Sequence, residues 1–425
     1  MNIINIKDKN LYYIGGVVRD ELLGRKSLDV DITYVGNAIE YCSKIAPALL
    51  EVIQENPDFG TVRVKVYPLP NFSHFPSDNG EILPSHNERG HGIEVDFAST
   101  RSESYPHKGH LPVVEKIGCS LKEDVMRRDF TINALAKNTL TGEIVDYTGG
   151  LEDLRNKKLR VLHDESFIDD PTRIIRGLKF SVRFGFELDE HTRKLQDEYL
   201  SNVNYDMSYK RVKKELKETF NPHYTCHSEA LAEESHDCKI LRSAQDDVNY
   251  QLAFEKFVNE GIYKLLTEKE VKLPKVNVEK LINEYLAPSS AFQAPSPTNG
   301  EKVIWLVYVG VIGDLSRLPL TKIEQKILDD VPSKKLKTDF ELYKTFENVR
   351  IESVLLYAIL YDEIGARRYL DGLRKIKISV TGKDLQELGI KPSPKYQEIF
   401  DEILKAKLKN PNMTKEDEIL FARSF

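Results

Sequence analysis

The hydrophobic pattern changes character once along the chain. In the first part, short apolar runs alternate with polar residues at period two, and only brief stretches carry helical spacing. Residues 11–14 form an apolar run that stops at Gly15-Gly16, and 17–23 have helical spacing that stops at Gly24. Residues 28–34 alternate strictly, 38–53 read as a helix, and 61–67 and 93–98 alternate again. These elements predict a small mixed sheet with helices packed on it, an α+β arrangement. Beyond about residue 150 the period becomes helical. Helices are expected over 165–184, 191–200, 209–220, 252–266, 303–313, 322–330, 334–361, 365–375, 382–388 and 395–408. Three polar stretches, 70–91, 225–247 and 287–300, interrupt the pattern and read as surface insertions, the last as a linker by its Pro, Ser and Ala content.

Composition fits a globular chain, with 40% hydrophobic and 30% charged residues. The strongest apolar stretch, 304–312, is far shorter than the ~20 residues a membrane helix needs. Residues 1–10 show no apolar core of a secretory signal. Cys42, Cys119, Cys226 and Cys238 form no close pair, so neither a disulfide framework nor a zinc knuckle is expected, and reduced thiols point to the cytoplasm. The net charge of −6 argues against nucleic acid only if charge is averaged over the chain. Residues 155–183 hold eight Arg and Lys against four Asp and Glu, whereas 223–249 hold six acids against two bases. A basic segment is therefore compatible with RNA contact, although a solvated helix face explains the same charge.

The residues that carry chemistry begin with Asp29 and Asp31. On a strand, positions two apart share a face, and two carboxylates that close repel unless a cation sits between them. Hard oxygen ligands of this kind suit Mg²⁺. Upstream, Gly15-Gly16 lie between a strand and a helix, where the backbone can approach a phosphate, and Arg19 follows one turn into that helix. A third carboxylate is expected on a neighbouring strand to take the proton of an attacking hydroxyl. Asp96 fills that role best, and Glu94 shares its face. In the run Arg127 to Ala134, Arg128 can meet a triphosphate while Asp129 and Asn133 organise the turn, although an ordinary capped helix start explains much of it. In Asp169-Asp170-Pro171-Thr172-Arg173-Ile174-Ile175-Arg176, Pro171 and the acids suit a helix N-terminus. Asp170 and Arg173 are also three apart, and at fixed spacing an acceptor and a donor can imitate a base edge. Such a pair favours cytosine and adenine, which carry an exocyclic amino group.

In this order the motifs resemble the class II tRNA nucleotidyltransferase/poly(A) polymerase family. The resemblance runs from about Tyr12 to Phe220, with a weaker echo at Gly382 to Pro394. Its signatures are Gly15-Gly16-x-x-Arg19-Asp20 with Asp29-x-Asp31, then Arg127-Arg128-Asp129-Phe130-Thr131-x-Asn133-Ala134, Asp170-Pro171-x-Arg173-x-x-Arg176 and Ser208-Tyr209-Lys210-Arg211-x-x-x-Glu215. The chain departs from the family at Asp169 and Lys210, where Glu is usual, and at Ser393, where Gly is common. The resemblance implies a polymerase-β-like nucleotidyltransferase palm followed by an all-α neck, body and tail. The implied boundaries are a head at 1–147, a neck with the nucleotide-selecting helices at 148–205, a body at 206–285 with an insertion near 222–250, a linker at 286–300 and a tail at 301–425. Gly15, Gly16, Arg19, Arg128, Asp170, Arg173 and Arg176 would bind the incoming nucleotide. Asp29 and Asp31 would bind Mg²⁺, with Asp96 as third catalytic carboxylate. Arg101 and Glu103 would belong to a flexible loop after the third catalytic strand.

The implied reaction is two-metal, template-independent addition of CMP and AMP from CTP and ATP to the 3′ end of tRNA, gripped at its acceptor stem and elbow. No membrane and no obligate protein partner are implied. The loop at 100–112 has full length, which argues against a CC-only product. Poly(A) synthesis, A addition alone and a catalytically inactive RNA-binding relative are the alternatives.

Overall fold

The computed structural model describes residues 6–25, 27, 30–66, 93–221, 248–286 and 302–425; the expectations placed on Asp29 and on 70–91, 225–247 and 287–300 lie outside these residues. The chain divides into two compact units. The first runs to Glu215 and takes in Glu260–Leu265, and the second holds Leu216–Asn221, Tyr250–Asn259 and Leu266–Phe425.

In the first unit the strands are β1 (Leu11–Ile14), β2 (Asp31–Tyr34), β3 (Leu50–Asn56), β4 (Thr61–Val66), β5 (Ile93–Ser99), β6 (Arg101–Ser104), β7 (Val113–Ile117), β8 (Ala136–Asn138) and β9 (Ile144–Val145). Among the described residues one sheet has the order β3-β4-β5-β2-β1-β8-β9. Its β2–β5 pair is parallel and its other pairs are antiparallel. Period-two alternation sends Val62, Val64, Val95, Phe97 and Ile32 into one core with Leu11, Val17 and Val18, each at most 1% exposed. Helices α1 (Gly16–Leu22) and α2 (Ala38–Leu49) follow β1 and β2 in the chain. Then come α3 (Leu121–Met126), α4 (Gly150–Arg155), α5 (Ser166–Asp169), α6 (Thr172–Phe184), α7 (Glu190–Ser201) and α8 (Tyr209–Phe220). A capping box starts α3: the Ser120 hydroxyl accepts from the Glu123 amide, and the Glu123 carboxylate accepts from the Ser120 amide.

Two expectations are corrected here. The helix read over 38–53 stops at Leu49, and Leu50–Asn56 is a strand paired to β4. After Leu50 its side chains are all exposed, so this edge strand has no alternating buried face that a sequence could reveal. The helix read over 165–184 is two helices, because Asp170 precedes Pro171 and is forced out of the helical region, to φ −143° and ψ 90°. Where the flexible loop is expected, β6 pairs with β7 as an antiparallel hairpin, and its turn is hydrogen-bonded to the rest of the unit. There the Gly109 amide donates to the Asp169 carbonyl at 2.9 Å and the Gly109 carbonyl accepts from the Ser208 amide at 2.9 Å. A Cβ on Gly109, whose φ is +82°, would lie 2.8 Å from the Asp206 carbonyl.

The second unit is helical: α9 (Tyr250–Asn259), α10 (Val278–Tyr285), α11 (Ile304–Val309), α12 (Lys322–Asp329), α13 (Asp339–Phe346), α14 (Ile351–Leu360), α15 (Glu363–Asp371), α16 (Gly382–Glu387), α17 (Lys395–Lys409) and α18 (Lys415–Ala422). The long helix expected over 334–361 is split into α13 and α14, with a Thr338/Glu341 capping box fixing the start of α13. Phe220, Phe257 and Tyr308 pack ring to ring at 5.2–5.6 Å in its core. Among the described residues no helix is long and apolar enough to cross a membrane.

Candidate active site

The site is built on the middle of the sheet. Register pairs Asp31 of β2 with Asp96 of β5, and Asp96 in turn with Arg63 of β4. Residues paired across neighbouring strands share a face, so two carboxylates and a guanidinium stand in one row. Glu94 lies two positions back, registered with Lys65. Arg63 grips both oxygens of Asp96, Nε to Oδ1 at 2.7 Å and Nη2 to Oδ2 at 2.8 Å. This row opens into a pocket of ≈ 410 Å³ whose wall also includes Ile14, Arg101, Arg127 and Arg128.

The arginines of that wall are held by buried acids. Asp124, 1% exposed, accepts from Arg127 Nη2 at 2.8 Å and lies 3.5 Å from Arg128 Nη2. Burial would raise Asp124, yet Arg128 and Arg127 hold it below the ordinary carboxylate range. Glu103 receives Arg101 Nε at 2.7 Å and Arg127 Nη1 at 3.1 Å. Arg101 of the hairpin lines the pocket, and its ion pair with Glu103 holds it there. Burial pulls Arg128 below its usual value, with Asp124 opposing, and its buried Nε has no hydrogen-bond partner. Its Nη1 lies over Gly15, where a Cβ would sit only 2.8 Å away. Gly15 has φ +72°, so the backbone favours glycine there, and a Cβ would in addition have to displace the end of Arg128.

Arg19 faces the protein interior. At 4% exposure it donates to Asp20 Oδ1 at 2.8 and 2.7 Å and to Asn133 Oδ1 at 2.6 Å, and it stacks on Phe184 at 4.5 Å. Gly16 lies beside it, 3.5 Å from Arg19 Nη2 to the place of a Cβ. Asn133 passes the connection to Asp129 at 2.9 Å, and Asp129 receives Arg176 at 2.8 and 2.6 Å. Arg176 also meets Glu215 at 3.3 Å, which Lys179 approaches at 2.9 Å. Burial would push Asp129 up, but Arg176, the Asn133 amide and Arg173 hold it well below the carboxylate range. Arg19, which is buried, and Arg176, which is half-buried, therefore belong to one hydrogen-bonded frame.

Asp170 and Arg173 lie at the start of α6. Asp170 Oδ1 accepts the Thr172 amide at 3.1 Å and its hydroxyl at 2.6 Å, while Oδ2 receives Arg211 of α8. Arg173 donates to Ser166 Oγ at 2.7 Å, to the Arg127 carbonyl at 3.0 Å and to Tyr105 at 3.3 Å, and its Nη1 lies 3.4 Å from His163 Nε2. Through the Arg127 carbonyl the α6 start is tied to the pocket wall. The sequence reading missed Arg63, Asp124, Tyr105 and the clasp of Arg211 on Asp170. Arg63 was visible as a polar residue in an otherwise apolar alternation, Thr-Val-Arg-Val-Lys-Val, and Arg211 as part of the Ser-Tyr-Lys-Arg motif.

Comparisons with known proteins place similarity along the whole chain. Residues 11–160 match the family described as the poly A polymerase head domain. The chain is 30% identical over 449 residues to the A-adding tRNA nucleotidyltransferase of Geobacter sulfurreducens, covering 97% of this chain but 44% of that protein. It is 27% identical over 444 residues to the A-adding tRNA nucleotidyltransferase of Halalkalibacterium halodurans, covering 98% and 88%. Its fold matches a CCA-adding enzyme in an apo form with a TM-score of 0.67 at 22% identity, covering 96% and 90%. The chain thus spans less than half of the Geobacter relative and most of the Halalkalibacterium one.

Proposed function

We propose that this chain, whose residues 11–160 match the poly A polymerase head-domain family, is a tRNA nucleotidyltransferase that adds CMP and AMP from CTP and ATP to the 3′ end of tRNA, without a nucleic-acid template. The observation that carries this reading is the registered pair Asp31 and Asp96 facing Arg128 across one pocket. These carboxylates, with Asp29, offer only oxygen donors, the set that suits Mg²⁺. Divalent ions held there would supply Lewis-acid activation of the attacking hydroxyl and neutralise charge on the leaving phosphates.

The chain's own residues do the rest. Asp96 Oδ accepts the proton of the RNA 3′-hydroxyl. Arg128, on the pocket wall, meets the triphosphate, and the Gly15-Gly16 turn lets that triphosphate approach the backbone. Asp170, clamped by Thr172 and Arg211, can only accept a hydrogen bond, so it reads an exocyclic amino group, while Arg173 donates to the ring. The helical body and tail would hold the tRNA elbow and acceptor stem through backbone and shape, in the cytoplasm.

A second reading, addition of the terminal A alone, is favoured by the names of the Geobacter and Halalkalibacterium relatives. Both are tested by incubating the protein and Mg²⁺ with tRNA lacking its last three nucleotides, and with tRNA ending in CC, under CTP alone, ATP alone and both. Full CCA on the first substrate supports the first reading; extension of the CC-ended substrate alone, by one A, supports the second. Homopolymeric tails would favour poly(A) synthesis, and no incorporation under any condition would leave an RNA-binding relic.

A further inference from the structure

We propose that Arg63 is a removable counter-ion for Asp96: it occupies the carboxylate while the site is empty and releases it when nucleotide arrives, so that metal capture is coupled to nucleotide binding. This rests on the reading of Asp31 and Asp96 as metal ligands. The geometry is specific. Arg63 forks Asp96 through two hydrogen bonds, at 2.7 and 2.8 Å, and Asp96 stands between Arg63 and Asp31 in one cross-strand row. A carboxylate with both oxygens in a guanidinium fork has fewer lone pairs for a hard cation, and the neighbouring positive charge repels that cation.

The other arginines of the pocket wall are anchored elsewhere. Arg127 is tied to Asp124 and Glu103, Arg101 to Glu103 and the Phe59 carbonyl, and Arg128 to Asp124. The Arg63–Asp96 pair is also accessible, with side chains 42% and 48% exposed, whereas Glu103 and Asp124 are nearly closed off at 4% and 1%. An exposed pair exchanges partners at little cost. A phosphate offers the same planar fork the bidentate match that Asp96 gives it, so an incoming triphosphate can draw Arg63 away just as a cation is needed at Asp96. Arg63 thus acts through Asp96, as a positioning residue.

The test is Mn²⁺ binding to the nucleotide-free protein, followed by the electron paramagnetic resonance of free Mn²⁺, alongside incorporation kinetics. Arg63→Gln is expected to tighten Mn²⁺ binding on the order of tenfold, and to raise the KM for nucleotide more than it lowers kcat. Arg63→Lys, which keeps the charge and loses the fork, should fall between. In an Asp96→Asn background, Arg63→Gln should leave Mn²⁺ affinity unchanged. Equal Mn²⁺ affinity in the unmutated protein, Arg63→Gln and Arg63→Lys would overturn the proposal, as would the same gain with Asp96 already neutralised. If the unmutated protein incorporates nucleotide normally and only the affinity comparison is flat, the role of Arg63 alone fails. If it neither binds Mn²⁺ nor incorporates, the metal site fails and the counter-ion with it.

Discussion

Both units of this chain bury charged side chains, but they use them differently. In the second unit the buried acids Glu418, Glu352 and Glu324 each accept a backbone amide. Glu418, fully buried, accepts the amides of Ser379 and Val380 at 2.7 and 2.9 Å and meets Lys407. Glu352 accepts the Val303 amide at 3.1 Å and Arg350 at 2.6 Å, and Glu324 closes a capping box. In the first unit one set of charges is also linked side chain to side chain across separate elements. Arg19 reaches Asn133, Asn133 reaches Asp129, Asp129 holds Arg176, and Arg176 meets Glu215. Backbone-serving acids locate helix ends. A chain of charge pairs running between elements fixes guanidinium groups relative to one another across the unit.

The sharpest way to break the comparison is at the pocket itself. Asp31→Asn should lower incorporation on the order of 10³-fold with the melting temperature unchanged; a retained rate with Mg²⁺ would remove the acid pair from the chemistry. Next, Arg173→Ala should reduce selection of CTP and ATP over UTP and GTP by about 10²-fold, read from competing single-nucleotide incorporations. Unaltered selectivity would separate the α6 start from base choice.

Arg176→Gln tests the frame. It leaves buried Asp129 without its main counter-charge and should cost about 2–4 kcal/mol at neutral pH, measured by urea melts. The pH dependence has a definite sign. Asp129 is depressed in the folded protein, so the stability it contributes is complete above the ordinary carboxylate range and is lost as pH falls through its folded value. The difference between the two proteins should therefore close on acidification; a gap constant from pH 7 to about 3 would contradict this. The smallest effect is expected in the second unit. Glu418→Gln should cost about 1–3 kcal/mol in the same melts and leave nucleotide selectivity as it was. A change in selectivity there would erase the distinction between the two uses of buried charge.

How much of this was legible in the sequence follows from the same distinction. The sheet core and most helices were readable because period-two and helical spacing report which face is buried, as in β4 and α6. Strand β3 was not, because an exposed edge strand is specified by backbone pairing to β4 rather than by a buried face. The break before α6 was encoded by Pro171, yet apolar periodicity on either side hid it. For the candidate site, residue types and motif order named Asp31, Asp96, Arg128, Asp170 and Arg173, and the fold brings them around the pocket and the adjoining α6 start. What linear spacing could not convey was partnership across strands. The Asp31–Asp96–Arg63 row joins segments 32 and 33 residues apart or more, and the inward turn of Arg19 depends on Asn133, more than a hundred residues away. Asp29 lies outside the described residues.

The close approach of Arg128 to Gly15 also constrains how this protein can drift over generations. An alanine at position 15 would have to push the end of the Arg128 side chain aside, which a flexible chain permits, and would also have to hold a left-handed backbone at φ +72°, which no change at position 128 relieves. The turn, more than its neighbour, therefore keeps this position a glycine from one generation to the next.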